Sequence, residues 1–313
     1  MARHITLASA NTMRISARHG DPALTTAEQM FEMLTVGTAQ VWSDRPDLVL
    51  FPENCDIPNN YNYADRIAYI TERGSYVADR LGEIARERNC WIAYPTCWVF
   101  ADGTIGNIVH MIDRRGQIAA TYQKNYLTLD EYRQGKMLFG DAPILVETDF
   151  ATVSPIICFD LTYKELRDAV AALEPELILY PSAAHGGLMQ QQWALDTGAW
   201  LLTSIPNQSS GIVNPLGEEV AMSTNYRPWI TATVNIDCAV VHYGYYQAKL
   251  IKLKKDLGPD VTVHDPGRIG LVLVTSNCDR SAKDLLKEYE IPTFREYYRM
   301  NTEERRLGTW HKP

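Results

Sequence analysis

Three side chains of catalytic type stand directly after short apolar runs. Glu53 follows Leu48-Val49-Leu50-Phe51-Pro52, Lys124 follows Ala119-Ala120-Thr121-Tyr122-Gln123, and Cys158 follows Val153-Ser154-Pro155-Ile156-Ile157. In α/β proteins, sites gather beyond the carboxyl ends of strands, so a carboxylate, an ammonium and a thiol placed there are candidates to meet. Attack on an unactivated amide needs a nucleophile, a base for its proton, an acid for the departing amine and a cation or N–H for the oxyanion. Cys, Glu and Lys can fill these roles without histidine. Taken singly, each residue has a plainer explanation, because a Cys in an apolar run is usually core and a Glu or Lys after a strand usually meets water. The case for chemistry rests on the combination. A helix opened by Thr162-Tyr163-Lys164-Glu165 is expected just after Cys158, and its positive end would favour a thiolate.

The elements that must position these groups are legible from periodicity. Ala27, Met30, Phe31, Leu34, Thr38 and Val41 form one helical stripe, opened by a capping-box pattern at Thr25-Thr26-Ala27-Glu28. Val77, Leu81, Ile84, Ala85 and Arg88 form a second, and Leu166, Val170 and Leu173 a third. Apolar runs at Ile5–Ala10, Leu48–Phe51, Trp91–Tyr94, Leu177–Tyr180 and Trp200–Ile205 read as buried strands. Pro46-Asp47-Leu48-Val49-Leu50-Phe51-Pro52 parallels Pro175-Glu176-Leu177-Ile178-Leu179-Tyr180-Pro181. Each copy leads to a strand–turn–strand, with turns at Asp113-Arg114-Arg115-Gly116 and Asn214-Pro215-Leu216-Gly217. Both halves therefore read β-α-β-α-β-β. Two such halves make an α/β fold of two face-to-face sheets with helices outside, an α-β-β-α sandwich with an internal pseudo-twofold repeat. Residues 1–313 are expected to form one domain, with a core of about residues 4–237 and a charged, aromatic C-terminal extension from about 239 to 313. Pro155 removes a ladder donor within its strand, so an unpaired position is expected there.

With 313 residues, the chain can bury a core without disulfides or a structural metal. A net charge of −8 and the absence of a basic run argue against nucleic acid or an anionic membrane as partner. Leu177–Leu195 and Thr197–Gly217 are uncharged but broken by Pro, Gly, Gln, Asn and Ser, so neither reads as a membrane span. The six cysteines form no Cys-x-x-Cys and no zinc spacing, which points to a reducing, cytoplasmic setting.

Phe51-Pro52-Glu53, Tyr122-Gln123-Lys124 and Ile157-Cys158-Phe159-Asp160 together resemble the three signature blocks of the nitrilase superfamily of carbon–nitrogen hydrolases. Asp102-Gly103, Asn107, Asp113 and Gly116 are similar to the hairpin that leads into the family's lysine, and Gly211–Gly217 to its second hairpin. The resemblance spans about residues 4–237 and implies an α-β-β-α fold. By it, Glu53 is the general base, Lys124 the transition-state lysine and Cys158 the nucleophile, while Glu131 matches a second glutamate. Glu165 matches a glutamate after the nucleophile, although a capping role explains it equally. No metal or organic cofactor is implied. The amidase and carbamoylase branches are closer in text than the nitrilase branch.

The expected activity is hydrolysis of a non-peptide C–N bond in a small molecule, an amide before a carbamoyl amine or a nitrile. Substrate-lining candidates are Asn54, Tyr61, Tyr126, Phe159, Tyr163, His185 and Trp193. Related carbamoylases often carry arginine just after the nucleophile motif, where this chain has Leu161 and Thr162, so uncharged or cationic amides are expected. Two rival readings are a non-catalytic ligand-binding sandwich and a cysteine peptidase, the latter with His185 as its nearest base. A homodimer or larger homo-oligomer is also expected. Tyr289, Ile291, Phe294, Tyr297, Tyr298, Met300 and Trp310 crowd the C-terminal stretch among arginines, and the resemblance implies pairing through Tyr163, Leu166, Arg167 and Val170.

Overall fold

The computed structural model describes residues 2–308 except His19, Asn207, Gln208 and Arg268. The chain divides into two compact units, Ile5–Val234 and a second made of Met1–His4 with Asn235–Pro313.

The first unit begins with β1 (His4–Ala10), α1 (Ala23–Thr38), β2 (Leu48–Leu50), α2 (Tyr63–Arg73), α3 (Tyr76–Arg88), β3 (Trp91–Val99), β4 (Ile105–Ile112), β5 (Ile118–Gln123) and α4 (Leu129–Arg133). It continues with β6 (Val146–Glu147), β7 (Thr152–Pro155), α5 (Lys164–Ala172), β8 (Leu177–Pro181), α6 (Leu188–Thr197), β9 (Trp200–Ser204), β10 (Gly211–Val213), β11 (Glu219–Met222) and β12 (Trp229–Asn235). Two six-stranded sheets result, ordered β12-β1-β2-β3-β4-β5 and β11-β10-β9-β8-β7-β6. In each, three neighbouring strands run parallel and a hairpin adds two antiparallel strands. The repeated sequence pattern is thus a repeated topology.

Strand residues separate the layers by alternation. Ala8, Ala10, Val49 and Phe51 pack with Leu34, Val77 and Leu81 of the helices. Leu7, Leu48 and Leu50, equally buried, point to the opposite face. In the second sheet, Ile178, Tyr180 and Leu201 pack with Val170 and Ala194 of α5 and α6, leaving Leu177, Leu179 and Leu202 for the inner face. Strands buried on both faces must be apolar at every position, which explains why they read as continuous runs.

Several local expectations change. The capping box at Thr25 does not form, because α1 starts at Ala23 behind an extended Pro22 and Thr26 is already buried inside the helix. α2, too polar to show a long stripe, is instead opened by a capping box of Asn62 and Asp65. Pro155 ends β7. The two-residue β6 pairs only with Thr152 and Val153, so no ladder bond is missed at Pro155, and Ile156 resumes pairing by donating to the Leu179 carbonyl at 2.9 Å. Leu166 and Val170 face the α5–α6 core, so they cannot form the pairing surface expected of them.

The second unit holds β13 (Cys238–His242), α7 (Tyr243–Leu257), β14 (Val261–His264), β15 (Leu271–Ser276), α8 (Ala282–Glu288) and α9 (Phe294–Leu307). Its sheet runs β13-β15-β14 and is backed by Leu250, Leu253, Leu285 and Leu286. The stretch expected as an extension therefore has a sheet and a core of its own. Ile291 is buried in that core with Tyr289 against it, α9 has no buried residue, and Trp310 lies outside the described residues.

One close approach sets the hairpin that leads to Lys124. A Cβ at Gly82 of α3 would lie 2.6 Å from the Gly116 carbonyl oxygen, and one at Gly116 would lie 2.3 Å from the Gly82 carbonyl oxygen. Helix propensity alone predicts that Gly82→Ala gains about 1 kcal/mol. The backbone collision reverses the sign, so urea titration should find Gly82→Ala less stable than the parent. A stabilised variant would show that the hairpin is free to shift.

Candidate active site

Glu53, Lys124 and Glu131 meet in one buried cluster. Each arrives on a different element: Glu53 beyond β2, Lys124 beyond β5, and Glu131 in the first turn of α4. Lys124 Nζ lies 2.9 Å from Glu53 Oε1, 2.9 Å from Glu131 Oε1 and 3.0 Å from Glu131 Oε2. Asn107 Nδ2, from the middle of β4, donates to Glu53 Oε1 at 2.8 Å and to Glu131 Oε1 at 2.7 Å. The Thr128 N–H donates to Glu131 Oε2 at 2.7 Å, half of a capping box that fixes the carboxylate on its helix. Lys124, at 1% exposure, is among the largest fully buried side chains described.

Burial by itself would raise the Glu53 carboxyl. The Lys124 charge and hydrogen bonds from Lys124, Asn107 and Cys158 outweigh it and hold the carboxyl below the usual carboxylate range. Burial would lower the Lys124 ammonium, but Glu53 and Glu131 together push it above its ordinary value. Glu53 and Lys124 are therefore both ionised at neutral pH.

Cys158 sits at the start of a 3-10 turn, Cys158–Thr162, with φ +46°, a left-handed conformation that costs a non-glycine residue about 1–3 kcal/mol. Asp160 holds that turn. Its carboxylate accepts from the Ile157 N–H at 2.8 Å, the Tyr122 hydroxyl at 2.7 Å and the Tyr126 N–H at 2.8 Å. Tyr122 and Tyr126 lie two residues either side of Lys124, so Asp160 ties the cysteine turn to the lysine segment. Burial drives the Asp160 carboxyl up to about 6 against these three donors.

The expected helix N-terminus is not at the nucleophile. α5 starts at Lys164, beyond the 3-10 turn, and the thiol moves the other way: burial first and the Glu53 charge second push it up to about 11, against the lowering by Lys124, Ser182 and the Ala183 N–H. Cys158 rests as a thiol, hydrogen-bonded to an ionised Glu53. Its proton has an acceptor in place but leaves only when something stabilises the sulfur or the adduct. The groups that act most strongly on Cys158 are Glu53, Lys124, Ser182 and Ala183.

The remaining candidates divide. Tyr126 stacks on Tyr163 with ring centroids 3.6 Å apart, and Phe159 meets Tyr163 edge-on at 5.4 Å, forming an aromatic group beside the cysteine turn. Asn54, also left-handed at φ +53°, follows Glu53 and accepts from Cys97 Sγ at 3.0 Å. Tyr61 is half-buried, edge-on to Tyr69. His185 is half-buried in the loop after β8, where its Nδ1 accepts from the Gly187 N–H at 3.2 Å. Trp193 is no lining residue: it is fully buried among Ile156, Leu161 and Val170, donating to the Leu161 carbonyl at 2.8 Å.

Asn107, Asp160 and Ser182 were given no role in the reading of the sequence. Asn107 is a lone amide in an apolar strand, which is a signal. Ser182 follows Pro181 as Glu53 follows Pro52, so the repeat points to it, and the next N–H, of Ala183, donates to Glu53 Oε2 at 3.2 Å. Among the described residues, no group of three or more His, Cys, Asp or Glu could hold a metal ion.

The family model for carbon–nitrogen hydrolases matches residues 14–242. The chloroplastic omega-amidase of Arabidopsis thaliana is 26% identical over 191 residues, 53% of this chain and 46% of that protein. Omega-amidase NIT2 of Xenopus tropicalis is 28% identical over 205 residues, 56% of this chain and 70% of that protein. The chain thus spans about half the length of the first of these relatives. Among solved structures, an amidase from Nesterenkonia sp. superposes with a TM-score of 0.64 at 20% identity, over 82% of this chain and 97% of that one.

The electrostatics predict an asymmetry. Glu53→Gln removes the anion beside the thiol and leaves the Lys124 cation, so the Cys158 pKa must fall from about 11. Alkylation of Cys158 followed by mass spectrometry should rise about tenfold per pH unit from pH 7 to 9 in the parent. Its midpoint should move to lower pH in Glu53→Gln. An unmoved or raised midpoint would show that Glu53 does not act on the thiol.

Proposed function

Because the chain belongs to the carbon–nitrogen hydrolase family, we propose that it hydrolyses a small non-peptide amide through an acyl thioester on Cys158. The observation that carries this reading is the thiol of Cys158 hydrogen-bonded to an ionised carboxylate that is itself bonded to a buried ammonium. Glu53 takes the thiol proton as sulfur adds to the carbonyl, so the buried cluster exchanges one proton internally. Lys124 and the Phe159 N–H receive the oxyanion. Glu53 then returns the proton to the departing ammonia or amine, and the thioester remains. Water, deprotonated by the same carboxylate, adds to the thioester, and the acid leaves as the thiol is restored. Glu131 keeps Lys124 ionised and aimed. Asn54, Tyr61, Tyr126, Phe159, Tyr163 and His185 line the acyl side, and no cofactor enters any step. The amidase names of the relatives support amides ahead of carbamoyl amines and nitriles.

None of the six cysteines is joined in a disulfide, which supports a cytoplasmic setting, and no helix among the described residues is long and apolar enough to cross a membrane. Pairing of subunits is supported by α9, which exposes Tyr298, Met300 and Leu307 on a helix without buried residues. Light scattering on the full chain should give a dimer or larger, and a chain ending near Pro292 should give a smaller species. A full-length monomer rejects pairing, and an unchanged assembly after truncation rejects the role of α9.

Cys158→Ala should abolish ammonia release across a panel of amides, carbamoyl amines and nitriles while retaining the parent's melting temperature. Mass spectrometry of the parent should trap the acyl group on Cys158 and on no other cysteine. Glu53→Gln should lower kcat by about 10²–10⁴-fold. A loss of less than about tenfold, ~1.4 kcal/mol, would assign the base elsewhere.

A further inference from the structure

The two carboxylates of the buried cluster can be followed oxygen by oxygen. Asn107 Nδ2 and Lys124 Nζ close a ring with the two Oε1 atoms. Nζ to Glu53 Oε1 is 2.9 Å, Glu53 Oε1 to Nδ2 2.8 Å, Nδ2 to Glu131 Oε1 2.7 Å, and Glu131 Oε1 back to Nζ 2.9 Å. Both protons of the Asn107 amide nitrogen are used in this ring. Its neighbours settle the orientation of the amide: turned the other way, a carbonyl oxygen would face two carboxylate oxygens with no proton between them. Asn107 is fully buried, and among the described residues its Oδ1 has no hydrogen-bond partner. A buried carbonyl oxygen left unmet is costly, so the two donor bonds are what hold this amide in place. The Asn107 backbone is tied to the same segment, its carbonyl accepting from the Lys124 N–H at 2.9 Å.

A carboxylate offers about four acceptor sites, two on each oxygen. Those of Glu131 are occupied, Oε1 by Asn107 and Lys124, Oε2 by Lys124 and the Thr128 N–H. On Glu53, Asn107 and Lys124 fill Oε1, while Oε2 accepts from the Ala183 N–H at 3.2 Å. Among the described residues, the site left to the pair of carboxylates is therefore on Glu53 Oε2, and the Cys158 thiol, which bonds to Glu53, has that site to take. Lys124 Nζ has three protons, and three carboxylate oxygens hold them. To face an oxyanion it must release one. Releasing a Glu131 oxygen strands nothing, because Oε1 keeps Asn107 and Oε2 keeps the Thr128 N–H.

We propose that Asn107 is a positioning residue for Glu53: by filling the second site of Oε1, it makes Oε2 the oxygen that takes the thiol proton and later delivers it to the leaving amine. The S–H bond breaks as Oε2–H forms. The sulfur pair forms the S–C bond, and the carbonyl pair moves to oxygen. The inference rests on the amide-hydrolase reading and deepens it. Burial would raise the Glu53 carboxyl, and the Lys124 charge with hydrogen bonds from Lys124 and Asn107 holds it down, so loss of the amide donor raises it. The titratable groups around Glu53 are Lys124 and Cys158, Glu131 across the shared ammonium, Cys97 of β3, Tyr180 of β8 and Arg14 in the segment after β1. Burial pushes Cys97 and Tyr180 up, and both rest protonated. A proton gained by the cluster near neutrality therefore rests on a carboxyl.

The test uses two variants of similar size. Asn107→Leu removes both donor bonds, and Asn107→Asp sets acceptors in their place. With the amide of the panel that the parent turns over fastest, Asn107→Leu should lower kcat at least about tenfold and leave KM within about threefold, as for a group felt in the transition state rather than in binding. Asn107→Asp puts a third carboxyl beside one ammonium, so the cluster binds a proton and the base is blocked. Its kcat/KM relative to the parent should rise by up to about tenfold per pH unit between about pH 6 and 8, while the same ratio for Asn107→Leu stays flat. A second reading needs no turnover. NMR titration of protein carrying carbon-13 in its glutamate carboxyls, with the Glu53 signal assigned by its loss in Glu53→Gln, should show the Glu53 midpoint moving to higher pH in Asn107→Leu. A flat ratio in a folded Asn107→Asp, a parental kcat in Asn107→Leu, or an unmoved Glu53 midpoint overturns the proposal and leaves amide hydrolysis standing. Should Asn107→Asp fail to fold, the Leu variant and the titration decide. A raised midpoint in a protein whose parent turns over no amide keeps the hold of Asn107 on Glu53 and overturns the hydrolase reading instead.

Discussion

A single buried ammonium shared by two carboxylates sets the terms for this fold. Lys124 has almost no contact with solvent, and without Glu53 and Glu131 its charge would be stranded in the interior. Such a cluster adds little net stability, because dehydrating three ions offsets most of their attraction, yet removing one member typically costs about 3–5 kcal/mol. It persists only if every remaining polar valence is met. Asn107 bridges the two carboxylates, and Thr128 caps the helix that delivers Glu131. Three separate chain segments are therefore pinned to one point by a requirement that apolar packing does not impose.

The same cluster explains the state of the nucleophile. A thiol beside an unpaired ammonium would ionise readily. Here both carboxylates neutralise the ammonium, and Glu53 faces the sulfur, so the proton stays on Cys158. In the proposed mechanism, reactivity is deferred until a carbonyl arrives to take the electron pair. The left-handed turn at Cys158 is paid for locally by Asp160, whose three donors come from both sides of Lys124 and from the residue before the cysteine. The strained turn and the charged cluster thus share one anchor and hold their relative geometry.

Duplication of the β-α-β-α-β-β pattern gives two strand ends that face the site with different chemistry. After the first Pro-terminated strand the chain supplies Glu53, and after the second it supplies Ser182 and the Ala183 N–H, which bonds to that same Glu53. One half provides Glu53, Lys124 and Glu131, and the other provides Cys158, Ser182 and the Ala183 N–H. Neither half contains a complete site.

How much of this was legible depended on range. Doubly buried strands, hairpin turns and the three strand-end residues declare themselves locally, because alternation, turn chemistry and apolar run length are properties of adjacent residues. Glu53, Lys124 and Cys158 could be named from the sequence for that reason, and Glu131 only through the family resemblance. The start of α1 was misplaced because Pro22 and the Thr25 pattern compete for the same end, and only packing decides between them. Trp193 illustrates a deeper limit: an aromatic residue near a site and one in the adjacent core have the same sequence signature, and the side of the helix it faces is settled by where α6 docks. Asp160 and Asn107 depend on contacts between residues 24 to 54 positions apart. Their roles exist only when the sheets close, because hydrogen bonds and Coulomb forces act over a few ångströms of space and carry no trace of the chain length between the groups. The sequence by itself determined the elements and the kinds of chemistry at their ends. Tertiary structure decided which charges share a hydrogen bond and which thiol keeps its proton.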